Sequence, residues 1–461
     1  MFFENGTRLG KFCLRIPFFA LAREQLFLVL KEMKVLVSAF ACCPSRGSEC
    51  EVGWTVVNAL AREHEVWVMT HEEYHSRIDS WVKDHPLPST LHFVYFGKIC
   101  SYSGNPLVGR FQTWKVNIEW HKEVLGVALK LHQEYHFDLV HHVTCATWRV
   151  ASPLWKLGIP SVWGPVGGGE RFPSGCNGIL SPVARAFEIL RGISNFSSSH
   201  SSAIHQAFQN MDACVAANRE TYDLVCKLRG REEGVSQLLQ VFFPTSKIDA
   251  YVPFIAQKDY SEPLRFFAGG VLEARKGGAI ALKALAQEKG IPFTYTFGGN
   301  GPEREHWRNL ASRLGIGDQV VFNNGFSGTA YRDELLKSHI YLLPSLRESA
   351  GITLMEAMLA GCVPIVADSG GPHNIVDESC GFRVPVTTPE KMALEIVAHI
   401  RRLNADRGLL KTLGLAAHQR IASAYNEGAY LKTIGNIYDE AISKHSATGT
   451  KARGINQSRK F

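Results

Sequence analysis

The sequence of 461 residues is short of the signatures that fix a chemistry at a glance. It has no Cys-x-x-Cys pair, and its eleven cysteines, at 13, 42, 43, 50, 100, 145, 176, 214, 226, 362 and 380, are odd in number and scattered. That pattern argues against a disulfide framework or a structural zinc site and for a reducing compartment; most of these thiols read as small core residues. No Asp-x-Asp pair occurs, so the usual carboxylates of a metal-clamped diphosphate are missing. Gly-x-x-x-x-Gly-Lys, Gly-x-Gly-x-x-Gly and Gly-x-Ser-x-Gly are also absent, which leaves out the P-loop, the dinucleotide fingerprint and the nucleophile elbow. The apolar stretch 18–30 is broken by Arg23 and Glu24, too short and interrupted to span a bilayer, and it lacks the small-residue cleavage site of a secretory signal. Proline and glycine together make 20 + 41 = 61 residues, too few for a fibrous or low-complexity chain. No repeat of 20–50 residues is visible.

What is present suits a globular protein of two ordinary domains: 45% hydrophobic and 20% charged residues. The net charge of +7 is terminal: residues 1–32 carry five basic and three acidic groups (+2), residues 444–461 five basic and none acidic (+5), and the remainder balances. A folded body without a basic stripe argues against a nucleic-acid partner. The extension 1–32 reads either as an amphipathic surface anchor or as an upstream start before Met33. The tail 446–461, small, polar and basic, reads as disordered, with weak attraction to an anionic surface. A cytoplasmic chain, soluble or peripheral on the cytoplasmic membrane face, is the expected setting.

The body alternates. Strands are expected at 34–39, 65–70, 91–95, 139–143, 161–163 and 213–216, with helices over 52–62 and 111–132. A polar, proline-containing stretch marks the domain boundary. Strands then recur at 264–269, 293–297, 320–322, 340–343 and 363–366 with helices between. Strand–helix alternation implies parallel sheets covered on both faces. Two such α/β domains, each Rossmann-like and doubly wound, would face one another across a cleft at their strand carboxyl ends, where such sheets bind ligands. The boundaries are 33–245 for the first domain, 246–262 for a linker, 263–426 for the second domain, and 427–445 for a helix returning to the first.

Several strand ends carry residues suited to an anion. After 340–343 comes Pro344, then Glu348, Gly351 and Ile352 at the mouth of a helix, and Glu356 two turns further on. Helix-start amides have no intrahelical partner and form a ready phosphate site; Glu348 and Glu356 on either side could accept hydrogen bonds from hydroxyls. Gly269, Gly270, Arg275 and Lys276 follow the first strand of the second domain, where glycine admits a ligand and Lys276 neutralises diphosphate oxygens. Gly299 and Gly301 end another strand. In the first domain, Gly47 with Arg46 follows the first strand. His141 and His142 close the 139–143 strand, where alternation allows one of the two to face the cleft. The glycine-rich 163–170 loop ends at Glu170. Each segment also has a plain structural reading as a turn, a solvated face or a core residue.

Taken in order, these segments resemble the retaining glycosyltransferases of family four, with a GT-B fold. The carriers are Gly270-Val271-Leu272-Glu273-Ala274-Arg275-Lys276-Gly277, Gly298-Gly299-Asn300-Gly301-Pro302-Glu303, the 321–326 segment, Glu348 with Glu356, the 361–366 segment, and Ser369-Gly370-Gly371-Pro372. The 39–54 and 162–170 segments resemble a subgroup linked to polysaccharide synthesis. The resemblance implies a nucleotide-diphosphate sugar as donor and a glycan or lipid-linked acceptor. It implies Glu356 on the ribose, Glu348 on the donor sugar, Gly351 and Ile352 amides on the diphosphate or sugar, Lys276 on the departing diphosphate, and the Gly325–Phe326 stretch near the base. It implies a metal-free, front-face reaction with no cofactor. Relatives commonly carry arginine where Val271 stands, an aromatic where Ala350 stands, and His-x-His where His141-His142-Val143 stands; Arg275 is the residue placed to compensate. A catalytically silent GT-B scaffold or partner subunit is the competing reading, and an isomerase or phosphorylase on the same fold a third.

Overall fold

The computed structural model describes residues 32–458 apart from 45, 46, 100–105, 240, 262, 325, 327 and 328. The expectations placed on 1–31, Arg46 and Gly325 lie outside the described residues.

The first sheet is built from β1 (Lys34–Ala39), β2 (Glu65–His71), β3 (Leu91–Phe96), β4 (Leu139–Thr144), β5 (Ser161–Val166), β6 (Ala213–Ala216) and β7 (Val235–Gln237), in the order β3-β2-β1-β4-β5-β6-β7. The second contains β8 (Leu264–Gly269), β9 (Phe293–Gly298), β10 (Val320–Asn323), β11 (Ile340–Leu343), β12 (Val363–Ala367) and β13 (Phe382–Val384), in the order β10-β9-β8-β11-β12-β13. Every pairing is parallel. Helices cover both faces, so the central strands are buried along their length, as in β4, β5, β11 and β12; this is why they read as continuous apolar runs. In each sheet the order reverses beside the first strand, between β1 and β4 and between β8 and β11. Such reversal points open a crevice at the strand carboxyl ends.

All the expected strands are present; β7 and β13, three residues each, are additional. The 246–262 linker is not irregular: it carries short helices at Thr245–Asp249 and Val252–Gln257, whose Ile248, Tyr251 and Ile255 are buried. Cys42, Cys176, Cys214, Cys362 and Cys380 are buried thiols.

The chain crosses between domains twice, and the two crossings touch: the Phe243 amide donates to the Tyr425 carbonyl at 2.9 Å, and Phe243 bridges Asn426. The returning helix is longer than expected, Glu427–Ser458. The irregular tail expected from Ser446 is therefore helical to Ser458; its alanines, lysine and arginine are good helix formers and extend a helix already nucleated by packing. Ile434, Ile437, Tyr438 and Ala441 of this helix are buried, and Tyr438 reaches β4, its hydroxyl 2.8 Å from His141 Nδ1.

Tyr438→Phe strands His141 Nδ1 in the core, and urea unfolding is expected to show a loss of about 1–3 kcal/mol. Burial also pushes His141 and His339 down to about 4. Because an unfolded histidine titrates near about 6.5, these groups favour the unfolded chain as it takes up protons. Stability is thus complete above that pH and declines as pH falls toward 4, which urea midpoints across the range will check.

Candidate functional site

The exits of β8, β9 and β11 meet at the reversal point of the second sheet. Register brings Gly269 of β8 opposite Gly298 of β9, and the loops beyond stay zipped: the Gly270 amide donates to the Gly298 carbonyl at 3.1 Å and the Leu272 amide to the Asn300 carbonyl at 2.9 Å. A side chain at Gly299 would start 2.0 Å from the Gly270 oxygen, and one at Gly301 2.4 Å from the Leu272 oxygen. These two glycines are needed for the close approach of protein backbone, so the space around them lends no support to a donor-binding role. Gly270 is different, with φ +104° and no heavy atom nearer than 4.0 Å to where a side chain would start.

Gly277, at φ +73°, passes under Pro344, whose oxygen lies 2.1 Å from where its side chain would begin. This brings the Arg275–Lys276 turn against the β11 exit, and the Leu346 amide donates to the Arg275 carbonyl at 2.8 Å. Lys276, only 8% exposed, forms an ion pair and hydrogen bond with Glu348. Arg275 is engaged by Glu273 Oε2 at 2.5 Å and the Arg347 carbonyl at 2.8 Å, with a guanidinium nitrogen 4.0 Å from Glu348. Val271 is exposed and leaves the outer side of this turn apolar.

Beyond Glu348 the chain turns at Gly351, φ +84°, into the Ile352–Leu359 helix. A side chain there has room but would force a residue into the left-handed region. Thr353 fixes the first turn, its hydroxyl 3.3 Å from the Gly269 carbonyl and 2.9 Å from the Tyr341 hydroxyl. Glu356 receives the Tyr331 hydroxyl at 3.1 Å and Lys247 at 3.3 Å. Phe326 is half-buried beside Phe267 and Tyr331, ring centroids 6.3 and 6.2 Å away. The structure thus brings together Gly270, Lys276, Glu348, Gly351, Ile352, Glu356 and Phe326 around the β8 and β11 exits, with Arg275 at the edge. Gly47, φ +67°, heads the Ser48–Leu60 helix at the corresponding place in the first domain, with nothing within 4 Å of where a side chain would start.

The histidine expectation is corrected. His141 and His142 are 0% and 1% exposed, and neither faces the cleft. His141 is held by Tyr438 and by the Gly164 carbonyl, each at 2.8 Å, and His142 Nε2 lies 3.2 Å from the Thr144 carbonyl. Burial keeps both rings well below the ordinary histidine range. The cause is the returning helix and the 111–132 region, which cover both faces of β4 and leave no open side for either ring; His142 lies against His121, the rings tilted with centroids 5.0 Å apart.

What the first domain contributes instead is a set of latches. Buried Glu170 receives Asn218 Nδ2 at 2.5 Å; the same amide also reaches the Ser349 carbonyl at 3.1 Å. Glu220 accepts from the Gly370 amide at 2.8 Å, and the Gly371 amide donates to the Glu348 carbonyl at 2.8 Å. Arg347 pairs with Glu188 at 2.9 Å. Asn218, Glu220, Glu188, Tyr331 and Lys247 were not singled out from the sequence. Asn218 was findable: it follows β6 and caps the Arg219–Arg229 helix through Thr221, and a capping residue at a strand end faces the crevice. Among the described residues, no group of three or more His, Cys, Asp or Glu is placed to hold a metal ion.

Known proteins resemble this chain in part of its sequence and in its fold. The family described as Glycosyl transferases group 1 matches residues 255–420. A D-inositol 3-phosphate glycosyltransferase of Streptomyces bingchenggensis is 34% identical over 31% of this chain and 30% of its own. A lipopolysaccharide core biosynthesis glycosyltransferase of Rhizobium meliloti is 28% identical over 42% and 55%. The chain thus covers between about a third and about half of these relatives. Among solved structures, a sucrose-phosphate synthase of Thermosynechococcus elongatus aligns with TM-score 0.58 and 17% identity over 89% of this chain and 100% of that one. The Anabaena HepE protein in complex with UDP and glucose aligns with TM-score 0.55 and 15% identity over 88% and 99%. These likenesses show the fold, GT-B.

Asn218→Ala is expected to leave the Glu170 carboxylate buried without its nearest donor and to free Ser349, at a cost of about 1–3 kcal/mol. Hydrogen exchange should quicken over 345–351 while the β1–β4 core is unchanged.

Proposed function

We propose that this chain, whose residues 255–420 form a glycosyl transferases group 1 domain within a GT-B frame, transfers a hexose-type sugar from a nucleotide-diphosphate donor to a glycan or lipid-linked acceptor, with retention at the anomeric carbon. The observation that carries this reading is the convergence of Lys276, Glu348, the Gly351–Ile352 turn and Glu356 at the β8 and β11 exits. The first amides of the Ile352–Leu359 helix suit a diphosphate oxygen. Lys276 supplies positive charge where the leaving diphosphate gathers its negative charge, and Glu348 accepts hydroxyls of the donor sugar. Glu356, held by Tyr331 and Lys247, accepts the ribose hydroxyls. Phe326 lies toward the base, and Gly47 approaches from the first domain.

In the front-face route the bond from the anomeric carbon to the phosphate oxygen breaks as the acceptor oxygen bonds on the same side. The acceptor's proton passes to the departing phosphate. The protein then has charge to stabilise and partners to position, not a proton to take. That suits a site to which His141 and His142, both buried, bring no base. Closure of the domains keeps water from the donor. The route needs neither metal nor cofactor. A silent scaffold is favoured by one observation, the exposed Val271 where relatives commonly carry arginine.

A thermal-shift panel of UDP, GDP, ADP and CMP with their sugar conjugates separates the two. A melting shift with one nucleotide, lost in Glu356→Ala, supports the transferase; no shift with any, in folded protein, supports the scaffold. Where transfer is measured, Glu348→Ala should lower kcat by about a hundredfold or more, and EDTA should leave the rate unchanged.

A further inference from the structure

The Pro182–Ser199 helix is amphipathic the wrong way round for a soluble protein. Its least exposed positions are Ala184, Glu188, Arg191, Asn195, Ser198 and Ser199, spaced as one helical face. That face is polar and is fastened to the body by hydrogen bonds. Glu188 takes Arg347 at 2.9 Å, Arg191 donates to the Gly168 carbonyl at 3.1 Å, and Asn195 accepts from Arg149 at 2.6 Å. The rest of its circumference carries Val183, Phe187, Ile189, Leu190, Ile193 and Phe196, between 38% and 70% exposed. No residue of the helix is buried. An ordinary surface helix puts its apolar stripe on the core; this one turns six large apolar side chains to solvent, a patch of the kind that marks an interaction surface.

Two observations identify the occupant. Residues 171–199 carry Arg171, Arg185 and Arg191 against Glu188, three basic to one acidic; Arg171 is exposed, and so is Arg185, which stands on the helix itself next to its apolar residues. An apolar face flanked by arginines complements an anionic bilayer surface. The face also adjoins a cavity of about 1040 Å³ lined by Val183, Phe187, Val271, Leu310, Arg275 and Arg347. A bilayer presents amphiphiles to a cavity that opens beside the patch, which a second protein copy does not.

We infer that the Pro182–Ser199 helix seats this protein on an anionic membrane surface, its apolar face among the lipid headgroups, so that the acceptor is an amphiphile delivered through the adjoining cavity. The acceptor part rests on the transferase reading above; the seating does not. No helix among the described residues is long and apolar enough to cross a membrane, so the contact is one of surface seating.

The test is co-sedimentation of the full chain with vesicles of phosphatidylglycerol and phosphatidylcholine. Its variant replaces Ile189, Leu190, Ile193 and Phe196 with serine, substitutions at exposed positions that should leave the melting temperature within a few degrees. Partition should fall at least about tenfold in the variant, fall similarly for the native chain on phosphatidylcholine alone, and slow hydrogen exchange over 182–199 when the native chain binds. Equal binding by both chains, with exchange over 182–199 unaltered by vesicles, would overturn the inference. So would a concentration-dependent dimer in lipid-free ultracentrifugation that the serine variant abolishes, which would assign the face to a second copy. The nucleotide thermal shift is read on the same samples. Retained shift with lost vesicle binding supports the seating, and vesicle binding without any nucleotide shift overturns the transferase reading and leaves the seating standing.

Discussion

The pairing of Lys276 with Glu348 joins two loops that belong to different strands, and most of the site's geometry follows from it. The β8 exit must bend sharply under Pro344 for the lysine to arrive, which is why Gly277 stands at a left-handed position with no room for a side chain. The β11 exit bends at Leu346 and Arg347 before it turns into a helix, and the Arg275 guanidinium and carbonyl both grip it there. With the two loops pinned, Gly351 and the helix that follows can only point their free amides into the reversal of the sheet. In a charge pair this sheltered from water, desolvation offsets much of the Coulomb attraction, but removing either member would leave the other without its partner.

The first domain completes this arrangement from across the cleft. Asn218 and Glu220 stand on the same helix start, one reading the Ser349 carbonyl and the other the Gly370 amide. The loop that presents Glu348 is thereby bracketed from both sides by neutral and charged hydrogen bonds. None of these contacts needs to touch a substrate to matter: they set where the carboxylate is when one arrives. The outward apolar helix is coupled to the same loop through Glu188 and Arg347, so the surface that faces solvent and the carboxylate that faces the cleft are two residues apart in the chain of contacts.

Much of this was legible in the residues. The central strands were readable because parallel strands covered on both faces carry unbroken apolar runs, and the reversal point followed from their order. β7 and β13 were not, because three residues at a sheet edge carry no period. Lys276 and Glu348 were singled out by their place after strands, among glycines, and Glu356 by its place in the helix that follows. Gly299 and Gly301 lie in the same pattern, and the backbone packed where their side chains would start belongs to a neighbouring loop, invisible in one segment. The histidines show the limit most plainly. A strand-end position suggested the cleft, but Tyr438, which meets His141, lies 297 residues further along the chain, and no local pattern announces it. The Pro182–Ser199 helix could have been recognised as amphipathic; which face turns inward is decided by Arg149 and Arg347, far away in sequence.

The two crossings between the domains lie side by side, joined by the Phe243 amide and the Tyr425 carbonyl. A single tether would let the domains swing and slide in any direction. Two adjacent tethers share one line, so they allow rotation about that line and resist shear across it. The returning helix adds a lever arm: it is fastened to β4 through Tyr438, so any turn of the second domain is transmitted to the middle of the first sheet and not only to its rim. The joint therefore behaves as a door on one edge, with the Lys276–Glu348 loops on the leaf and Asn218 and Glu220 on the frame.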